Sequence, residues 1–82
     1  MKVVLLPDAV EALEEIIDPL FSDITRRIDS LKEYPELGSP MSGEFSGYRS
    51  TVVGFFRIVY RLLPRGIIEI AYIRDCRRRP LD

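Results

Sequence analysis

The first half of the chain has the apolar spacing of one short strand followed by two helices. Residues 2–6 form a β-branched apolar run, which predicts a buried first strand. Apolar residues then recur every three or four positions through 8–17 and again through about 19–34, the spacing of helices with one buried face. Asp8 is the predicted N-cap of the first helix. Asp18 precedes a proline and is predicted to end that helix.

The second half of the chain reads as a loop followed by three short strands. Residues 38–47 contain three glycines, three serines and one proline, a composition typical of a loop. Short turns between successive strands require antiparallel pairing. The predicted strands are at about 48–53, 55–63 and 67–74. We therefore expect one α+β domain over residues 1–82, with a helical hairpin packed on one face of a small, mainly antiparallel sheet.

The middle predicted strand carries arginines among its apolar residues. Side chains alternate between the two faces of a strand. The side chains predicted to face the helices are Phe56, Ile58, Tyr60 and Leu62. Arg57 and Arg61 then lie together on the opposite face, about 13 Å apart along the strand. We expect this uncovered face to be cationic. The arginines that would extend it are Arg49, Arg74, Arg77 and Arg78.

The net charge of −1 conceals an uneven distribution between the two halves. Residues 1–45 carry four basic residues against ten acidic ones, whereas residues 46–82 carry eight arginines against three acidic residues. The planar fork of arginine suits phosphate recognition, and nearby aromatic rings would allow bases to stack. This pattern indicates a polyanionic partner. An interpretation without a partner is equally open: the halves attract each other, or the arginine stems cover apolar surface.

Composition narrows the chemistry further. Histidine is absent and Cys76 is the only cysteine, which argues against a zinc site and a histidine-activated nucleophile. No metal or phosphate-loop motif is present, so no cofactor or metal is expected. The opening apolar run is too short for a signal peptide, and no segment reaches the roughly 20 apolar residues of a membrane span. We expect a cytoplasmic protein that does not enter a membrane.

The predicted order of elements and three blocks of sequence resemble the RelE/ParE superfamily of bacterial toxins. These toxins belong to type II toxin–antitoxin modules, and the superfamily includes plasmid stabilisation proteins. The blocks are PDAVEALEEI after the first strand, YRSTVVGFFRIVYRL over 48–62, and IIEIAYIRDCRRR, where an apolar strand runs into a basic cluster. The resemblance implies a RelE-like β-α-α-β-β-β fold and a cognate antitoxin as partner. An acidic, partly disordered antitoxin segment would complement the arginine face. A homodimer is a further possibility.

Members of this superfamily divide into two kinds of toxin. RelE-like members cut messenger RNA in the ribosomal decoding site without a metal. For that activity the resemblance assigns phosphate support to Arg57 and Arg77, with Arg78 as the match if the register differs by one. Arg49 and Arg61 would aid RNA binding. ParE-like members inhibit DNA gyrase and are not nucleases.

The sequence leaves the choice between these activities open. The tyrosine and the histidine that many RelE-like enzymes carry near the C-terminus are missing, and Thr51 occupies the second lysine position of the family. RNA cleavage needs a proton acceptor and a proton donor, and arginine serves poorly because it stays protonated. Arg57 and Arg61 on the open face favour the endonuclease. The missing tyrosine favours a gyrase inhibitor, or an inactive member that only binds its antitoxin.

Overall fold

The computed structural model describes residues 1–77, and these residues form a single mixed sheet covered by two helices. The elements are β1 (Lys2–Leu5), α1 (Pro7–Glu14), α2 (Leu20–Glu33), β2 (Ser39–Pro40), a turn of 3-10 helix (Gly43–Phe45), β3 (Arg49–Val53), β4 (Phe56–Leu63) and β5 (Ile67–Asp75). The strand order is β1-β5-β4-β3-β2. Only the β1–β5 pair is parallel among the described strands. The predicted α+β fold with a mainly antiparallel sheet is confirmed.

The first helix differs from its prediction at both ends. It begins at Pro7, with Leu6 and not Asp8 at the N-cap position. The fixed backbone angle of proline suits the first helical position. Asp8 therefore lies inside the first turn, where its negative charge interacts favourably with the helix dipole. The helix ends at Glu14 instead of residue 17. The predicted loop at 38–47 also contains β2, which is too short to show a strand pattern.

Both helices pack on the same face of the sheet. Ile58 and Tyr60 of β4 are fully buried there, as the alternation predicted, and they join Ile24 and Leu31 of α2 in the core. Leu62, which was predicted on the same face, is partly exposed near the end of β4. The fully buried Ala9 of α1 belongs to the same core, which therefore lies between both helices and the central strands.

A β-bulge in β5 changes which residues share a face. Val59 pairs with Tyr72, whereas the next residue, Tyr60, pairs with Ile70, so Ala71 is the extra residue on β5. An extra residue shifts the alternation of the strand by one position. Ile70 on one side of the bulge and Ile73 on the other consequently both belong to the helix-covered core, although they lie three positions apart.

The face opposite the helices, called here the open face, is also partly covered. Val59 lies on this face between Arg57 and Arg61 in β4, yet it is fully buried. The large rings on its side belong to Phe45, Tyr48 and Tyr72, which meet edge to face. The 3-10 turn thus folds back over the centre of the open face. No helix within residues 1–77 is long and apolar enough to cross a membrane.

Candidate functional site

The open face places two arginines side by side near the β3–β4 turn. Arg57 of β4 and Arg74 of β5 are cross-strand partners, which puts their Cα atoms about 4.5–5.5 Å apart. Within residues 1–77, neither guanidinium makes a hydrogen bond or an ion pair. Like charges facing each other across strands are destabilising by about 0.2–1 kcal/mol. A pair that opposes folding in this way is typical of a functional site.

Arg61 lies on the same open face, as predicted, and its guanidinium is bound within the chain. Its Nε donates to Oε1 of Glu69 at 2.7 Å, and these residues are also cross-strand partners. Its Cζ lies 5.2 Å from the ring centroid of Tyr48. The hydrogen bond to the Glu69 carboxylate raises the pKa of Arg61. The charge of Arg61 on the open face is therefore balanced by a carboxylate that the hairpin itself supplies.

Arg49 does not extend the open face. It pairs with Tyr60 across β3 and β4, and cross-strand partners point to the same face, which here is the helix-covered one. Its Nη1 donates to the carbonyl oxygen of Gly38 at 2.7 Å, and its Nη2 lies 3.7 Å from Oε2 of Glu36. Arg49 therefore holds the segment between α2 and β2 and lies away from Arg57.

Arg77 is fixed at the end of β5 by two kinds of contact. Its guanidinium carbon lies 3.6 Å from the ring centroid of Phe55. Its Nε and Nη2 donate to the two carboxylate oxygens of Asp75 at 3.1 and 2.8 Å. The hydrogen bond to Asp75 raises the pKa of Arg77. Because Phe55 begins the β4 side of the turn, Arg77 stays at the corner of the sheet that carries Arg57.

The remaining candidates from the sequence are Arg78, Cys76 and a metal site. Arg78 lies outside the described residues. Cys76 is exposed, and its backbone N–H donates to the carbonyl oxygen of Phe55 at 2.7 Å. Residues 1–77 hold no cluster of three or more His, Cys, Asp or Glu side chains that could bind a metal ion.

An open cleft lies beside this corner on the helix side. Its volume is about 430 Å³, and its lining combines Ala12 of α1 and the residues just after this helix with the ends of β4 and β5. Ile16 and Phe56 are among its apolar members, and Glu15 is an acidic one. Arg74 and Arg77 also line it, so the cationic corner is continuous with an apolar depression.

Two contributions to this surface were not predicted from the sequence. Glu69 was not recognised as the partner of Arg61, although both residues lie four positions from Arg65 in the tight turn. Phe45 was treated as part of a loop, although its ring meets Tyr48 and Tyr72 at centroid distances of 6.0 and 6.1 Å. The pairing of Glu69 with Arg61 could have been found by counting residues outward from the turn. The position of the Phe45 ring depends on the path of the loop, which the sequence does not give.

The family of the chain follows from comparison with known proteins. Residues 3–80 match the family model described as ParE toxin of type II toxin–antitoxin system, parDE. The chain belongs to this family of toxins. The resemblance to the RelE/ParE superfamily is thus confirmed, and the protein is the toxin component of a toxin–antitoxin module. No curated protein sequence matches this toxin significantly.

Solved structures agree with the RelE-like fold of this toxin. A chain of the toxin–antitoxin complex RelBE2 from Mycobacterium tuberculosis is similar with a TM-score of 0.81 and 19% identity, over 90% of the toxin and 95% of that chain. The YoeB/ParE toxin from Agrobacterium tumefaciens gives a TM-score of 0.80 and 24% identity, over 92% and 98%. The intact RelBE complex from E. coli gives 0.79 and 9%, over 94% and 98%. At these identities the likeness concerns the fold.

Proposed function

We propose that this toxin acts by binding a protein target, as a ParE-like inhibitor of DNA gyrase, and that the Arg57–Arg74 pair is its main contact. The observation that carries this proposal is the surroundings of Arg57. Its cross-strand neighbours are Val52 on one side and Arg74 on the other. Valine has no proton to transfer, and arginine stays protonated at neutral pH. Arg57 and Arg74, with Val52 beside them, can therefore bind an anion but cannot exchange a proton with it.

The corner around Arg57 also has the composition of a protein-binding surface. Val52 is an exposed apolar side chain on the open face, and the Phe55 ring lies under Arg77. Arginine and aromatic residues are enriched where proteins meet, whereas isolated surface charges contribute little. A carboxylate on the target could accept hydrogen bonds from the guanidinium groups of both Arg57 and Arg74. The match to the ParE family model supports the same target class.

A cognate antitoxin is the second partner that we propose. Similar solved structures include toxin–antitoxin complexes from E. coli, Staphylococcus aureus and Pyrococcus horikoshii. An antitoxin segment with acidic side chains would neutralise the toxin by covering Arg57 and Arg74. Opposite charges at such an interface accelerate association and fix its register. The antitoxin and the target would then compete for the same two guanidinium groups.

Ribosome-dependent cleavage of messenger RNA is a second candidate function. It is favoured by the corner that carries both Arg57 and Arg77, the two residues to which the RelE-like resemblance assigns phosphate support. Both side chains are exposed. In this case they would steady the scissile phosphate, and the ribosome would have to supply proton transfer.

One experiment separates these activities. The wild type, Arg57→Gln and Arg74→Gln are expressed from a tightly controlled promoter, and plasmid supercoiling and messenger-RNA ends are measured in the same cells. Purified gyrase is then assayed with each protein. Arg26→Gln is the matched control, because Arg26 is an exposed arginine paired with Asp23 on α2. We expect gyrase inhibition by the wild type and the control, and its loss in the other two variants.

The other outcomes are equally informative. Codon-positioned messenger-RNA cuts with unchanged supercoiling would overturn gyrase inhibition in favour of the endonuclease. If the wild type neither arrests growth nor alters either readout, the chain is an inactive member that binds only its antitoxin. Gyrase inhibition that survives both substitutions would remove the Arg57–Arg74 pair from the mechanism.

A further inference from the structure

The contact between Arg61 and Glu69 divides the open face into two parts of different charge. At one end Arg57 and Arg74 have no ion-pair partner within residues 1–77. About 13 Å along β4, Arg61 is bound to the Glu69 carboxylate at 2.7 Å. The side chain of Glu69 is only 12% exposed, against 41% for Arg61. The second cationic position of the strand is therefore neutralised from within the chain.

We propose that Glu69 is a specificity-determining residue, which limits the open face to a single anion-binding position and thereby favours a protein carboxylate over a nucleic-acid strand. The inference rests on the proposed function, because it explains how that arginine face can select a protein target. A nucleic-acid strand carries a phosphate at every nucleotide, and a surface that follows it needs cations repeated along its length. Arg57 and Arg61 would supply two such positions. With Glu69 in place, the position at Arg57 is the one of these two that remains.

An incoming phosphate cannot readily take Arg61 away from Glu69. Separating them would leave a nearly buried carboxylate without its partner, which is strongly unfavourable. The guanidinium also contacts the ring of Tyr48, with its carbon 5.2 Å from the ring centroid. Tyr48 in turn meets Phe45 edge-on. Arg61 is thus fixed by packing as well as by charge.

Glu69→Gln tests this role because it removes the charge and keeps the size of the side chain. The glutamine oxygen can still accept a hydrogen bond from Arg61, but the positive charge is no longer cancelled. The matched control is Glu36→Gln, which makes the same change in net charge. Glu36 lies beside Arg49, which is on the helix-covered face. Comparing the two variants separates a local effect on the open face from a general effect of charge.

The measurement is the binding of a fluorescein-labelled single-stranded RNA 12-mer, followed by anisotropy between 50 and 200 mM salt. One added phosphate contact steepens the dependence of log K on log salt by about 0.7 and tightens binding about fivefold at 0.1 M salt. We expect this change in Glu69→Gln. Glu36→Gln should match the wild type. Equal slopes and affinities in the two variants, including no binding by either, would overturn the role of Glu69.

A second measurement on the wild type covers the case in which Glu69→Gln does not fold. The Nε–Hε signals of the arginines are followed by NMR while the same RNA is added. We expect the signals of Arg57 and Arg74 to move and that of Arg61 to stay. Movement of the Arg61 signal together with the others would contradict the proposal. The gyrase assay is independent of both measurements, so failure of the proposed function and failure of this inference are distinguishable.

Discussion

Arg57 faces Arg74 across β4 and β5 only because β5 carries one extra residue between Arg74 and the hairpin turn. Near the turn, Leu63 pairs with Ile67, and continuing that register would set Arg57 opposite Ile73. The shift after Val59 moves the partner of Arg57 by one position, to Arg74. Bulges often re-aim a side chain next to a functional site. Here the bulge brings Arg74 to the open face beside Arg57, and this pair of cations has no ion-pair partner among residues 1–77.

The first prediction is that removing either member of this pair stabilises the toxin. Arg57→Gln and Arg74→Gln each eliminate a like-charge contact across the strands, and we expect the free energy of unfolding to rise by about 0.2–1 kcal/mol. Urea denaturation at low salt measures this change. Arg26→Gln, which removes an exposed ion pair on α2, should leave stability unchanged or slightly lower it. A clear loss of stability in Arg57→Gln would mean that the pair supports the fold.

The hairpin shows how far sequence reasoning reaches on this face. Alternation along β4 placed Arg57 and Arg61 together, and the tight turn around Arg65 fixes the pairing of Arg61 with Glu69 by simple counting. The same counting fails for Arg74, because nothing in the residues around Ala71 indicates that one of them is extra. A bulge is selected by packing on both faces of the sheet, which a local pattern does not contain.

The position of Arg49 was beyond sequence reasoning for a different reason. The face on which Arg49 lies depends on the register of β3 against β4, and the pattern of residues within β3 does not give that register. The observed pairing of Arg49 with Tyr60 sends it to the helix-covered face. The partners that hold it there come from residues 36–38, a segment with no regular structure. Long-range placement of an irregular segment depends on the whole fold.

The second prediction concerns the hydroxyl of Tyr60, which connects the core to the segment after α2. It accepts the backbone N–H of Gly38 and donates to the carbonyl oxygen of Pro35, each at 2.8 Å. Tyr60→Phe would leave both backbone groups without this partner, and we expect a loss of about 1–3 kcal/mol in the free energy of unfolding. Tyr34→Phe is the control, since Tyr34 is exposed and should change stability little. A neutral Tyr60→Phe would show that water replaces the hydroxyl.

The third prediction is the pH dependence of the same residue. Burial raises the pKa of Tyr60, and the hydrogen bond from Gly38 and the charge of Arg49 only partly oppose this effect. A raised pKa means that the fold favours the neutral hydroxyl. Its contribution to stability is therefore complete below the pKa of free tyrosine, about 10, and is lost as the pH rises through the raised value. We expect the stability difference between wild type and Tyr60→Phe to narrow above pH 10 in urea titrations. A constant difference would contradict this assignment.

The fourth prediction is that Gly38 tolerates no side chain. A Cβ atom on Gly38 would lie 2.7 Å from the carbonyl oxygen of Ser50 and 2.8 Å from both Cε1 and the hydroxyl oxygen of Tyr60. Backbone and a fully buried ring cannot move aside cheaply, so Gly38→Ala should destabilise by about 1–3 kcal/mol. Ser39→Ala, at the exposed next residue, is the control. Thermal unfolding should show a lower Tm for Gly38→Ala alone, and equal Tm values would mean that the segment shifts freely.

The fifth prediction concerns the ring of Phe45, the part of the predicted loop that folds back on the open face. Phe45 meets Tyr48 and Tyr72 edge-on, and such contacts contribute about 0.5–1.5 kcal/mol each beyond burial. In urea denaturation, the loss of these two contacts alone should lower the free energy of unfolding of Phe45→Ala by about 1–3 kcal/mol, in addition to the lost burial. The total should exceed that of Phe21→Ala, at a partly exposed position of α2. Because Arg57 and Arg74 do not depend on this ring for a contact, the folded variant should still inhibit gyrase. If Phe45→Ala is less stable but still inhibits gyrase, the Phe45 ring serves stability and not target binding. If the folded variant no longer inhibits gyrase, the ring belongs to the same binding site as Arg57 and Arg74.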